Sequence, residues 1–233
     1  MTKNDDVTAG RGFLLIAGAK AWFLVTSAGV ALGLPRLFGE PEAFGRFKVV
    51  SSVATIVNMV LITATVQSVA RLTSERAGAS RSIRSMALRV QCMFGGGVAL
   101  ALCLGAPLLS TQVFGDGSLA TYMQIAALIT AAYAFYATFV GLLNGLAAFG
   151  KQAALDMIFS TLKALLILGA VALGFGVAGA FAGFAAAAII IAILSAVVSH
   201  HALPPDTGDT SIQTGRYLSL LWPIATSALL LNV

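Results

Sequence analysis

The sequence predicts an all-α integral membrane protein, and three observations lead to that fold class. Of its 233 residues, 58% are hydrophobic and only 10% are charged, whereas soluble domains are nearer ~25% charged. The mean hydropathy is +0.93. Apolar runs recur along the chain at the length of roughly 20 residues that a helix needs to cross a bilayer core about 30 Å thick. Between the runs there is no room for a soluble domain.

Six complete spans and the beginning of a seventh follow from the positions of the apolar runs. The predicted spans cover residues 12–34, 49–70, 90–109, 119–143, 153–173 and 177–198. A seventh run, 217–233, is short for a span and ends without a flanking charge. We therefore expect the chain to end inside a helix.

Basic residues in alternate loops predict the orientation of the spans. One set of loops contains Lys3, Arg11, Arg71, Arg76, Arg81, Arg84, Arg89, Lys151 and Arg216, and the other contains Arg36, Arg46 and Lys48. Because Lys and Arg accumulate in cytoplasmic loops, the N-terminus is expected in the cytoplasm. Basic residues beside a membrane also attract anionic lipid, so membrane lipids are expected partners and nucleic acid is not.

Two lysines inside apolar runs are the clearest functional candidates. A basic group near the bilayer centre costs about 2.5–3.5 kcal/mol, so it usually faces a cavity or a partner. At 1.5 Å per residue, Lys20 lies about 12 Å and Lys163 about 15 Å along its predicted span. For Lys163 the cavity is favoured. For Lys20 a cavity and snorkelling to the cytoplasmic interface both stay open.

Other polar residues in the spans share helix faces at the 3.6-residue period. These groups are Ser51, Thr55, Asn58 and Thr65 in the second span, Tyr133, Tyr136 and Asn144 in the fourth, and Asp156, Ser160 and Lys163 in the fifth. For each hydroxyl or amide taken singly, a hydrogen bond between helices of a bundle is the simpler explanation. A polar cavity is the alternative.

Small residues at helix-packing spacing favour a compact bundle. GLLNG places Gly141 four residues before Gly145, and GAFAG does the same with Gly179 and Gly183. Missing side chains at this spacing let helix backbones approach closely in lipid.

The motifs that could indicate a catalytic, nucleotide or metal site lack the neighbouring residues and elements that such a site needs. GFGVAG, 174–179, matches a dinucleotide fingerprint but lacks the preceding strand and the acidic residue that such a site needs, so a tight glycine turn is expected. His200 and His201 have no further metal ligands at suitable spacing. No nucleophile and base form a recognisable set. We therefore expect neither an enzyme nor a cofactor.

The first outward loop, PRLFGEPEAFGRFK, resembles that of the oligosaccharide flippases of the multidrug/oligosaccharidyl-lipid/polysaccharide (MOP) exporter superfamily. The matching positions are Arg36, Gly39, Pro41, Glu42, Phe44 and Gly45, although the stretch between the glycines is one residue longer than usual. TVQSVARLTSE, GLLNGLAAFGKQAAL and GFGVAGAFAG are similar to that family in order and spacing.

The resemblance implies two six-helix lobes around a central cavity, which moves a lipid-linked sugar between leaflets by alternating access. Residues 1–203 would form the N-terminal lobe, 204–216 a cytoplasmic linker, and 217–233 the start of the second lobe. The implied substrate is an undecaprenyl-diphosphate-linked oligosaccharide in the bacterial inner membrane, with glycan-assembly proteins as possible partners. The cavity candidates are Lys20, Arg36, Asn58, Gln67, Tyr133, Tyr136, Asn144 and Lys163.

Three other functions stay open from the sequence. A cation-coupled multidrug exporter of the same superfamily would be expected to have acidic groups within the spans, and we predict none deep in these six. A non-transporting scaffold for cell-envelope assembly would tolerate loss of its cavity charges. An integral-membrane enzyme of glycan synthesis is the third alternative.

Overall fold

The computed structural model describes residues 3–205 and 214–232, with side chains for 14–76, 78–205 and 214–230, and this part of the chain contains helices and no strand. The helices are α1 (Lys3–Phe38), α2 (Pro41–Glu75), α3 (Ser80–Leu108), α4 (Leu119–Gly145), α5 (Phe149–Ala172), α6 (Gly176–Ala202) and α7 (Thr214–Asn232). The first six are long and apolar enough to cross a membrane. The predicted all-α membrane fold with six spans is confirmed.

The helices continue beyond the apolar runs that predicted them. α2 begins at Pro41, eight residues before the predicted start, because proline lacks the amide hydrogen that the first turn leaves unpaired. α7 begins at Thr214 and includes Arg216, both of which had been predicted to lie in the linker. Residues 206–213 of that linker lie outside the described part of the chain.

α4 is the central helix of the bundle. It packs against α2, α3 and α6, while α1 packs on α5, α5 on α6 and α7 on α2. In the most apolar 18-residue window of α4, 72% of the residues are buried, against 11% for α1. Because α4 is surrounded, polar groups on it must face either a neighbouring helix or a cavity.

Three of the four glycines in the small-residue motifs lie at close helix contacts. A Cβ on Gly145 would lie 2.6 Å from the carbonyl oxygen of Ala70, and one on Gly141 would lie 3.0 Å from that of Val66. A Cβ on Gly183 would overlap the Leu166 carbonyl group. Glycine therefore allows α4 to approach α2 and α6 to approach α5, as in other membrane bundles.

The GFGVAG segment forms the tight turn between α5 and α6. Gly174 and Gly176 have φ angles of +87° and +58°, in the left-handed region that glycine occupies without penalty. The turn fits the expected glycine hairpin.

Ion pairs join the helices at both ends of the bundle. At one end, Arg46 Nε of α2 contacts Asp116 of the α3–α4 loop at 3.0 Å. The hydroxyl and amide of Ser118 donate to Asp116 and, together with Arg46, lower the pKa of that carboxyl group. At the other end, Glu75 accepts hydrogen bonds from Arg71 at 3.0 Å and from Arg216 at 2.6 Å, which ties α2 to α7.

Candidate functional site

A cavity of about 430 Å³ lies between α1, α2, α4 and α5. Its lining residues are Ala19, Lys20, Phe23, Ile62, Thr63, Val66, Gln67, Tyr133, Tyr136, Val140, Gln152, Asp156 and Phe159. Seven of these carry polar or charged groups, an unusual proportion within spans that are otherwise apolar. The volume lies within the usual range for a pocket that holds a small molecule or one end of a larger one.

A hydrogen bond between two helices organises one wall of this cavity. The buried Tyr136 hydroxyl of α4 donates to Asp156 Oδ1 of α5 at 2.7 Å. Asp156 lies seven residues into α5, about 10 Å along the helix axis. Asp156 lies about two helical turns from the start of α5, so the prediction that no acidic group lies deep within the spans stays a prediction.

Two amides and a lysine supply further polar groups to the cavity. Gln152 is only 8% exposed, and its buried Oε1 has no hydrogen-bond partner among the described residues. Such an unpaired acceptor costs about 1–3 kcal/mol, unless a ligand or water donates to it. The exposed side chains of Lys20 and Gln67 complete the polar lining, and Lys20 forms no ion pair with a described residue.

An aromatic cluster beside the cavity surrounds the second lysine. Lys163 Nζ lies 4.8 Å from the ring centroid of Phe23, 5.5 Å from that of Phe184 and 5.8 Å from that of Phe159. An ammonium group over aromatic faces is stabilised by about 2 kcal/mol or more when it is desolvated. Because Phe23 and Phe159 also line the cavity, Lys163 is adjacent to the cavity without lining it.

Four of the eight predicted site residues line the cavity together, and these are Lys20, Gln67, Tyr133 and Tyr136. Arg36 is exposed in the last turn of α1, about 24 Å along the axis from Lys20. Asn144 has the helical phase of Tyr133 but lies about 16 Å away, beyond the cavity.

Asn58 does not line the cavity either. It lies nine residues from the cavity-lining Gln67 on α2 and therefore about 180° around the helix. It shares a face with Thr65, which accepts a hydrogen bond from Gln91 of α3. Asn58 is buried, and its Oδ1 has no partner among the described residues.

The sequence did not identify Asp156 and Gln152 of α5 as site residues, nor the aromatic wall formed by Phe23 and Phe159. The only sequence signal for Asp156 was that it shares a helix face with Lys163 in the predicted fifth span. The sequence did not show that α5 packs against α1, or that Asp156 of α5 lies beside Tyr136 of α4.

Comparisons with known proteins agree with this architecture. Residues 36–229 match the family model described as "Polysaccharide biosynthesis protein". No curated protein matches the sequence significantly.

Three solved structures have a similar fold. The first is a MOP superfamily transporter from Pyrococcus furiosus, whose binding pocket is described as having reverse polarity, suggesting a different function (TM-score 0.73, 17% identity, 94% of this chain and 52% of that chain). The second is an outward-facing multidrug resistance MATE family transporter of the same superfamily (0.74, 16%, 94% and 52%). The third is a MATE protein in complex with MaD5 (0.69, 18%, 93% and 52%).

The chain thus spans about half the length of these structures, which matches one lobe of the MOP fold plus the first helix of the next. The family model covers most of the chain, including α2, α4 and α5 of the cavity, but only the last three residues of α1. The chain belongs to the polysaccharide biosynthesis protein family and is a multi-pass membrane protein with the fold of a MOP superfamily lobe.

Proposed function

We propose that the protein containing this chain moves an undecaprenyl-diphosphate-linked oligosaccharide across the bacterial inner membrane by alternating access. The observation that carries the proposal is the ammonium group of Lys20 in a polar cavity between membrane-spanning helices. A basic group at such a position usually marks a substrate pathway. Family membership supports the connection with polysaccharide synthesis.

The residues of the cavity suit the head of such a substrate. Lys20 would offset part of the diphosphate charge. The unpaired Oε1 of Gln152 would accept a hydrogen bond from a sugar hydroxyl, and Gln67 would both donate and accept. Tyr133 would offer an apolar ring surface to a sugar. The prenyl chain would stay in the bilayer, where its burial needs no protein pocket.

Transport would require the cavity to open to each side in turn. In other two-lobe transporters this happens largely by rocking of one lobe against the other around a fixed site. The chain would provide one lobe with a site between α1, α2, α4 and α5, and the excess of basic residues in one set of loops supports a cytoplasmic N-terminus.

The experiment that tests this proposal is a flipping assay with the complete protein in liposomes. A fluorescent lipid-linked oligosaccharide would be incorporated, and its arrival in the outer leaflet measured with a membrane-impermeant glycosidase. We expect Lys20→Met to lower the flipping rate about 10- to 100-fold, the factor that corresponds to losing one charge-assisted hydrogen bond. Lys20→Arg should retain much of the rate because it keeps the charge.

Lys48→Met is the matched control, since it removes an exposed ammonium that does not line the cavity. Normal flipping by Lys20→Met, or an equal loss in Lys48→Met, would refute a substrate role for the cavity. A non-transporting scaffold would show no flipping with any variant.

Asp156 favours a second candidate, a cation-coupled multidrug exporter. A carboxylate in a cavity between spans can bind a cationic drug or a coupling ion, and multidrug transporters share the fold. For this function Asp156→Asn should abolish efflux of a cationic dye, driven by a pH or sodium gradient, from the same liposomes. Dye efflux without glycolipid flipping would select the exporter.

A further inference from the structure

A second pocket, of about 390 Å³, lies between α3, α4 and α6, and we call it the α3–α6 pocket. Its lining residues are Arg84 and Leu88 of α3, Phe139 of α4, and Ala196, Val197, His200 and His201 of α6. It shares no lining residue with the central cavity, to which α3 and α6 contribute nothing.

The α3–α6 pocket has a basic end and an apolar end. Arg84 lies four residues after the start of α3, and His200 lies two residues before the end of α6. Leu88 and Val197 lie one helical turn farther into the spans, on the same sides of their helices. The pocket is therefore basic at the rim of the bundle and apolar toward its middle.

The guanidinium group of Arg84 has no anionic partner in this part of the molecule. Its side chain is half-buried, it forms no ion pair with a described residue, and no acidic side chain lines the pocket. A planar guanidinium binds phosphate through two parallel hydrogen bonds. His200 is exposed beside it and offers a further ring nitrogen.

We propose that the α3–α6 pocket binds an anionic phospholipid of the surrounding bilayer. The phosphate would contact Arg84 and His200, and one acyl chain would lie along Leu88, Phe139 and Val197. Both helices are long enough to cross a membrane, and in this proposal the apolar end of the pocket would face the acyl chains next to the headgroups. A phospholipid has both parts in this order, and a net negative headgroup complements the basic rim.

Lipid titration of the purified protein in detergent micelles tests the proposal. Binding would be measured by native mass spectrometry with dioleoyl-phosphatidylglycerol and with dioleoyl-phosphatidylcholine, which has the same chains and no net charge. Glycerol phosphate would serve as the free anion. We expect phosphatidylglycerol to bind at least fivefold more tightly than phosphatidylcholine and glycerol phosphate not to compete.

Three variants test whether phosphatidylglycerol binds in the α3–α6 pocket. Arg84→Gln should weaken binding of phosphatidylglycerol about fivefold, while Arg89→Gln, which removes an exposed charge of α3 outside this pocket, should change it less than twofold. Val197→Trp should also weaken binding at least fivefold, because the indole would fill the space for the acyl chain without changing any charge.

Several results would overturn the proposal. Equal affinity for the two lipids would show that the headgroup charge is not recognised. Equal losses in Arg84→Gln and Arg89→Gln would show a diffuse surface attraction. Normal binding by Val197→Trp, together with competition by glycerol phosphate, would show a site for a free anion. Because the pocket is separate from the central cavity, none of these results bears on transport.

Discussion

Replacing Tyr136 by phenylalanine removes one hydroxyl group and leaves the packing of the aromatic ring unchanged. The ring of Tyr136 lies 5.9 Å from that of Phe159, and its hydroxyl donates to Asp156 at 2.7 Å. A hydrogen bond to a charged acceptor contributes about 1.5–3 kcal/mol, and Asp156 would lose its donor in a half-buried position. We therefore expect Tyr136→Phe to lower the free energy of unfolding by about 1.5–3 kcal/mol.

Tyr133→Phe is the matched control on the same helix and in the same cavity. Its hydroxyl has no hydrogen bond to a described residue, so its removal should change the free energy of unfolding by less than about 0.5 kcal/mol. Both variants would be measured by equilibrium unfolding of the purified protein in mixed micelles.

A second mutation tests whether the Asp156 carboxylate is the hydrogen-bond partner of Tyr136. Asp156→Asn turns a charge-assisted hydrogen bond into a neutral one, which is roughly half as strong. In that background Tyr136→Phe should cost about 0.5–1.5 kcal/mol, so the two mutations should couple by about 1 kcal/mol. Equal effects of Tyr136→Phe and Tyr133→Phe, or an absence of coupling, would refute the reasoning.

Three further predictions concern the bundle. Gly145→Ala should destabilise the protein by about 2–3 kcal/mol in the same unfolding assay because its Cβ would meet α2, whereas Gly169→Ala, with open space around it, should be neutral or stabilising. Because its folded-state pKa is lowered, Asp116 should contribute stability above its unfolded pKa that is lost as pH falls through the folded value, a dependence that Asp116→Asn should remove. With the native cysteines replaced, an impermeant thiol reagent applied to intact cells should label Gln112→Cys but not Ser74→Cys, and the reverse pattern would overturn the orientation.

The sequence predicted the helices well because the bilayer imposes one simple condition, an apolar run of sufficient length. The helix ends were predicted less well, because polar residues at the membrane interface can continue a helix beyond the point where the hydropathy falls. α2 shows this at its first residue, Pro41, and α7 shows it at Thr214.

The cavity was only partly predictable because it depends on how helices rotate against one another. Periodicity groups residues on one face of a helix but does not tell which face meets which neighbour. On α2 the face of Asn58 also carries Thr65, which accepts a hydrogen bond from Gln91 of α3, and the cavity instead receives Gln67 from the opposite face. Asp156 was on a predicted polar face, but its partner Tyr136 lies on another helix and was found only through packing.

Photo-crosslinking is the measurement that tests most directly whether the central cavity holds the head of a lipid-linked oligosaccharide. A benzophenone amino acid would replace Tyr133, which lines the cavity, or Leu128, which is exposed on the same helix outside it. After irradiation of membranes that synthesise the glycolipid, we expect the cross-linked protein to carry oligosaccharide from position 133 and not from position 128. Equal cross-linking at both positions, or none at 133 when the glycolipid is abundant, would contradict the account.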